Sequence, residues 1–262
     1  MKKIDLSDVS FLMPVRIDSI DRLENIMLVV DFLLSHFDTN IQILEASEIN
    51  NGILKKTLPT GVQIEYVEDF DKVFHRTYYI NCLIHNTSSR FCAVWDADVI
   101  ADCTQLQESL QILRDGTADF VYPYTELFLN VPEIIKEHFF ETRDVNILLN
   151  NVGKMEQMYP PAPIGGAFIA NREKYIESGS ENENFYGWGV EDGERYNRWK
   201  ALEYKVSRVE GPLFHFTHSR SINSLFHDNK QREIKFGELY HTGLMSKEEL
   251  KQEIKKWRGS QS

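Results

Sequence analysis

Between residues 9 and 122, short hydrophobic runs alternate with segments whose apolar residues recur three and four apart, and that rhythm leaves few folds open. "VSFLMPV" (9–15), "IQILEA" (41–46), "VQIEYV" (62–67) and "RFCAVWDADVI" (90–100) read as strands, with another near 118–122. Between the first two, Leu23, Ile26, Met27, Val30, Leu33 and Phe37 fall on one helical face, and Asp21 with Glu24 forms a capping pattern ahead of them. "VFHRTYYINCLIHN" (73–86) and residues 104–114 read as further helices. Strands that alternate with helices predict a mostly parallel central sheet flanked by helices, an α/β fold. The rhythm breaks over 123–163, where prolines and aromatics in "PYTELFLNVPE" and "MYPPAPIGG" predict an insertion of helices and loops. It resumes with a strand at "GGAFIA" (165–170) and a helix over 191–201. "SKEELKQEIKKWRGSQS", with a capping box from Ser246 to Glu249, predicts a peripheral amphipathic helix with a frayed end.

Composition removes several classes of function. A formal net charge of −11 argues against nucleic acid or an anionic membrane as the main partner. No apolar run is long enough to cross a bilayer, and the opening "MKKIDLSDVSFLMPVRID" is too acid-interrupted for a secretory signal. Cys82, Cys92 and Cys103 lack metal-ligand pairing and read as reduced, mostly buried thiols of a cytoplasmic protein.

Three segments carry chemistry. In open α/β sheets ligands sit beyond the carboxyl ends of strands, where "WDADV" places Asp96 and Asp98. Alternate residues of an extended segment share a face, so the two carboxylates can meet a divalent cation and a diphosphate; capping of the following turn is the simpler alternative. In "GPLFHFTHSR" (211–220), His215 and His218 can meet on one metal only if the backbone bends at Phe216–Thr217. In "FYGWGVEDGERYNRW" (185–199), the helix dipole alone accounts for Glu191 and Asp192. It does not account for Trp188 between Gly187 and Gly189, which reads as a hinged loop beside a general base. Arg16, at the end of the first strand, is better placed for a phosphate or nucleotide than Arg76 within its helix.

Taken in order, these segments resemble the beta-1,4-galactosyltransferase family over roughly residues 10 to 222. "GWGVEDGERYNR" is similar to its GWGGED element, "HFTHSR" to its metal segment with His215 in place of methionine, and "IGGAFIANREKY" to its Gly-Gly strand and helix. "WDADV", "MPVR" and "FHRTYYIN" are similar to its D-x-D strand, nucleotide strand and following helix. The resemblance implies a GT-A type nucleotide-diphospho-sugar transferase fold, a UDP-sugar donor, Mn²⁺ or Mg²⁺, and inversion at the anomeric carbon. It implies Asp98, His215 and His218 as metal ligands, with Asp96, Pro14, Arg16, Phe74, Arg76 and Gly166 around the nucleotide. Trp188 and Gly189 would close over donor and acceptor, Asp192 would be the base and Glu191 would hold the sugar. Lys154 stands one residue out of register with a phosphate-binding lysine of the family.

Departures from the pattern leave the donor sugar open. Pro163 replaces the aromatic before the Gly-Gly pair, with Ile164 following, and Asp18 replaces a family arginine near Arg16, which the resemblance turns into an expected bond to the uracil instead. The chain then divides into a nucleotide-binding half (1–122), the insertion (123–163), an acceptor and metal half (164–240) and the C-terminal helix (241–262) of one catalytic domain. The expected acceptor is a glycan or lipid-linked saccharide, with peripheral membrane association open. Two rivals use some of the same residues. A sugar-nucleotide pyrophosphorylase or hydrolase would want a glycine-rich basic loop that "FLMPVRIDSIDR" lacks, and a non-catalytic glycan-binding module would need neither base nor nucleotide site.

Overall fold

The computed structural model describes residues 2–219, 223, 225, 226 and 228–259. In chain order the elements are β1 (Ile4–Val15), α1 (Ile20–His36), β2 (Phe37–Ser47), α2 (Ile53–Thr57), β3 (Gln63–Glu68), α3 (Arg76–Asn86), β4 (Phe91–Trp95), β5 (Val99–Ile100) and α4 (Cys103–Arg114). There follow β6 (Phe120–Tyr122), β7 (Phe128–Val131), α5 (Glu133–Thr142), α6 (Asn146–Leu149), a 3-10 turn (Val152–Lys154), β8 (Glu156–Gln157), β9 (Ala167–Asn171) and α7 (Arg172–Glu177). The last are α8 (Glu191–Ala201), β10 (Val206–Arg208), β11 (Leu213–Phe216), α9 (Asn229–Leu244) and α10 (Lys247–Gly259).

Seven strands form the main sheet in the order β10-β6-β9-β4-β1-β2-β3. All neighbours pair in parallel except around β9, which runs against β4 and β6. β4, "FCAVW", is buried at every residue, as a strand covered on both faces must be. A ligand cleft at its carboxyl end is the consequence, because β1 and β4 finish side by side and release Arg16 and Asp96 there.

Local chemistry explains where several elements differ from expectation. Ser19, not Asp21, caps α1, its hydroxyl accepting from the Arg22 amide, and Asp21 is committed elsewhere. The helix ends at His36, so Phe37 begins β2 instead of completing the helical face. α3 starts at Arg76, leaving 73–75 outside it. The insertion over 123–163 holds two strands as well as helices. β7 and β8 join β5 and β11 in a second sheet of order β5-β11-β7-β8. Very short strands with little internal alternation hid it from the sequence pattern. α9 runs across the expected 240/241 boundary, while Ser246 and Glu249 do exchange the bonds of a capping box ahead of α10. The expected frayed end at 260–262 lies outside the described residues. The three cysteines are free, Cys92 buried and the other two half-buried, and no described helix is long and apolar enough to cross a membrane.

Candidate active site

The second sheet decides how the histidines meet the aspartate. β5 starts one residue after Asp98 and pairs antiparallel with β11, so that Val99 lies opposite His215, and the Phe216 amide donates to the Asp98 carbonyl at 2.8 Å. The expected bend past Phe216 is present and has a cause. Buried Asn25 of α1 donates its side-chain amide to the carbonyls of both Phe216 and Thr217, at 3.2 and 3.3 Å. Asp21, one turn earlier, accepts from the amide and hydroxyl of Ser219. Arg220, the last residue of the expected metal segment, lies outside the described residues.

His218 Nε2 stands 3.2 Å from Asp98 Oδ2 and His215 Nε2 stands 3.9 Å from the same atom. On the other side of each ring, Nδ1 faces an oxygen: the side chain of Asn130 at 3.1 Å for His215 and the carbonyl of Ser219 at 3.0 Å for His218. An oxygen acceptor fixes the proton on Nδ1 and leaves the Nε2 lone pair turned toward Asp98, the orientation of a metal-ligating imidazole. One atom from each of the three residues lies within 4.8 Å of the others, a spacing that fits a single cation and leaves further positions for ligand oxygens. Burial would raise the Asp98 carboxyl, but His215 and His218 outweigh it and hold it below its usual value. When His218 is protonated on Nε2 as well, it donates to Asp98 instead, and that hydrogen bond raises its pKa.

Asp96 does not join this cluster. Its carboxylate pairs with Arg76 at 2.6 Å and its amide donates to Gly166, and burial pushes its carboxyl up in spite of the arginine. The two aspartates of "WDADV" therefore serve different groups.

Across the cleft, α8 begins with Glu191 and Asp192. Glu191 is buried, accepts the Gly189 amide at 2.9 Å, and is raised to about 7 by burial and by neighbouring Asp192. Asp192 Oδ1 is held by Arg195 at 2.5 Å. Arg195 is itself gripped at 2.9 and 3.0 Å by Glu181, which accepts from the Tyr175 hydroxyl, a fully buried chain of partners. Gly165 is needed here because a Cβ would sit 2.8 Å from Asp192 Oδ2. Gly189 is needed twice over, with φ of +117° and Phe226 where a Cβ would go.

With the exception of Lys154, the residues singled out from the sequence for metal, donor or base line one cleft of about 620 Å³. Arg16 and Phe74 form one wall, the guanidinium 5.4 Å from the ring centroid. The Arg16 N–H groups already go to Asp69 and to the carbonyls of Ala46, Asp71 and Lys72, so it presents a stacking surface more than a phosphate clamp. Asp18 pairs with Arg22 at 3.1 Å, and Pro14 lines the cleft with them. Lys154 is not brought in: it bonds Asn151 on the exposed 3-10 turn. The sequence reading missed Asn130, Asn25, Asn223 and Tyr159, which also line the cleft. Only Asn25 left a signal, as a lone amide on the apolar face of a helix.

Residues 149–222 match the family described as the N-terminal domain of galactosyltransferase. Among solved structures, the catalytic domain of Drosophila beta1,4-galactosyltransferase 7 in complex with xylobiose is similar to this chain. It has a TM-score of 0.55 and 16% identity, over 87% of this chain and 79% of that one. A mutant of the same Drosophila enzyme with manganese, UDP-Gal and xylobiose matches at 0.55 and 15%, with the same coverage. At this identity the structures show the shared GT-A type fold. No curated protein matches the sequence. The family match is thus to the segment 149–222, and the likeness over the rest of the chain is one of fold.

Proposed function

We propose that this galactosyltransferase-like protein is a metal-dependent, inverting glycosyltransferase that moves a hexose or N-acetylhexosamine from a UDP-sugar to a glycan or lipid-linked saccharide. The observation that carries the reading is the convergence of Asp98, His215 and His218 on one point in the cleft that also holds Asp192. Their donor set of two imidazoles and a carboxylate suits Mn²⁺ better than the oxygen-seeking Mg²⁺, with oxygen ligands in the remaining positions, and the Drosophila complex contains manganese. When bound, such a cation neutralises the charge that gathers on the departing diphosphate.

The chain's own residues do the rest. The stacked pair of Arg16 and Phe74 offers one wall to the uracil, with Asp18 at its edge and Arg76, braced by Asp96, toward the phosphates. Asp192 Oδ1 is tied to Arg195, so Oδ2 takes the proton from the acceptor hydroxyl. That hydroxyl oxygen bonds to the anomeric carbon as the bond to UDP breaks, the electron pair leaving with the diphosphate. Attack opposite to departure inverts the centre, as in inverting glycosidases with a sugar hydroxyl in place of water. Glu191 holds the transferred sugar, and Trp188 with Gly189 covers it, excluding water that would otherwise compete. Three free cysteines and an acidic surface support a cytoplasmic setting.

The test is UDP release and UDP binding with Mn²⁺ and a panel of UDP-sugars, with and without simple saccharide acceptors. Metal-dependent UDP binding and acceptor-stimulated release are expected; no UDP binding with or without metal rules the proposal out.

A further inference from the structure

α9 packs against α8 and its Lys235 is only 2% exposed, which excludes the usual arrangement in which a lysine stem lies on the surface with its ammonium in water. Instead Nζ donates to the Trp188 carbonyl at 2.6 Å. Burial lowers the Lys235 ammonium, and Glu191 works against that. The same ammonium lies 5.6 Å from the centroid of Phe226, whose ring meets Trp188 edge-on at 5.3 Å and occupies the space a Gly189 side chain would need. Three residues further along the same face, Glu238 accepts from the side-chain amides of Asn182 and Asn184 at 2.7 and 3.0 Å. α9 thus grips the segment 182–189 at two points. A buried cation spent on a single loop carbonyl is an expensive way to fill space, and an apolar side chain of similar length would pack there at lower cost.

We propose that Lys235 is a positioning residue for transfer. It sets the height of Trp188 and Gly189 over the acceptor, acting through the Trp188 carbonyl. The loop has two other pins, the Tyr186 hydroxyl on Asp71 upstream and the Gly189 amide on Glu191 downstream. Without Lys235, among the described residues the indole-bearing peptide between them keeps the edge-on contact of Trp188 with Phe226 but no hydrogen bond of its own. The effect on transfer rests on the function proposed above; the effect on the loop does not. Asp98, His215 and His218 are held by α1, β5, β7 and β11, so metal and nucleotide binding do not depend on this contact.

The experiment compares wild type with Lys235→Met and Lys235→Arg in two assays. The first is amide hydrogen exchange on the metal-free full chain. Lys235→Met is expected to speed exchange at Gly189 at least tenfold, with α8 and the central sheet unchanged. The second uses Mn²⁺, UDP-galactose and whichever panel saccharide gives the fastest UDP release. Lys235→Met is expected to raise the acceptor KM at least tenfold and to increase the ratio of donor hydrolysis to transfer severalfold. Mn²⁺-dependent UDP affinity should stay within about twofold, and Lys235→Arg should recover most of the acceptor KM. Wild-type exchange at Gly189 combined with an unchanged acceptor KM overturns the proposal. If Lys235→Met does not fold, wild-type exchange decides: Gly189 must open in step with the middle turns of α9, and faster opening at Gly189 refutes the contact's role. A wild type that binds no UDP defeats the proposed function, and the exchange assay still judges Lys235.

Discussion

At the cation end of the cleft, Asp98, His215 and His218 come from a strand entry, a strand and the bend after it, and are aimed by outside partners. Asn130 and the Ser219 carbonyl turn the rings, and Asn25 with Asp21 holds the bend. At the base end, Glu191 and Asp192 are neighbours on one helix; Asp192 is fixed by buried charge through Arg195, Glu181 and Tyr175, and Glu191 accepts the Gly189 amide. At the first end the groups that turn the rings are neutral and the ligand atoms are left unspent, so that it can take up a cation. The second spends its charges on one another, so that a carboxylate stays put while a proton moves. Rigid placement of a base and adaptable placement of a ligand set therefore use different chemistry within one cleft.

The largest effect should separate the two ends outright. Asp192→Asn keeps the shape of the base end but cannot take a proton, so transfer is expected to fall by about a thousandfold, within the usual range for a general base. UDP affinity should be unchanged, because the cation end is untouched. Unchanged turnover would remove Asp192 as base. The converse is His218→Ala, which should weaken metal-dependent UDP binding by about a hundredfold or more, beyond what loss of an outer partner costs. A metal titration identical to wild type would retire the His215–His218 pair as ligands.

The next effect concerns pH and belongs to the base end. Glu191 carries a carboxyl raised from 4.5 to about 7, first by burial and then by Asp192. The folded state thus binds this proton more tightly than the unfolded chain does. Its contribution to stability is complete below pH 4.5 and is lost as pH climbs toward 7. Glu191→Gln keeps the neutral shape at every pH. Denaturant unfolding of the metal-free protein should find this variant more stable than wild type at pH 8 by about 2 to 3 kcal/mol, and equal to it in acid. A difference that does not vary with pH would show that Glu191 is ionised in the fold without cost.

The same contrast explains what could be read from the sequence. The base end is contiguous, so "GWGVEDGERYNR" displays its carboxylates, its glycines and its paired arginine together. The parallel block β1 to β4 was equally legible, because its strands are long and separated by amphipathic helices. The cation end was visible only as two motifs that needed a bend between His215 and His218. What supplies the bend, Asn25 on α1, is a long-range contact with no local pattern. The second sheet was hidden for a related reason. β5 and β8 have two residues each and are strands only because β11 and β7 lie beside them. Resemblance brought the ligand set together; residue spacing alone would have paired Asp96 with Asp98, which the Arg76 ion pair prevents.

The smallest effect tests whether the cation end really depends on neutral aiming groups. Asn130 lies opposite His215 in the parallel pairing of β7 with β11, and its side-chain oxygen receives the Nδ1 proton at 3.1 Å. Asn130→Ala removes that acceptor but no ligand atom. The ring is then free to rotate and to place its proton on Nε2, where it would block the cation. Outer partners of this kind are worth about 10- to 100-fold in metal affinity. About tenfold is expected here, since Asp98 and His218 remain aimed. Asn130→Asp should restore binding to wild type or better, because a carboxylate accepts the same proton and makes the imidazole a stronger ligand. Mn²⁺ titration of the three proteins by calorimetry checks the order Asp, Asn, Ala. If Ala binds as tightly as Asn, the imidazoles are aimed by packing alone, and the two ends of the cleft are more alike than their hydrogen bonds imply.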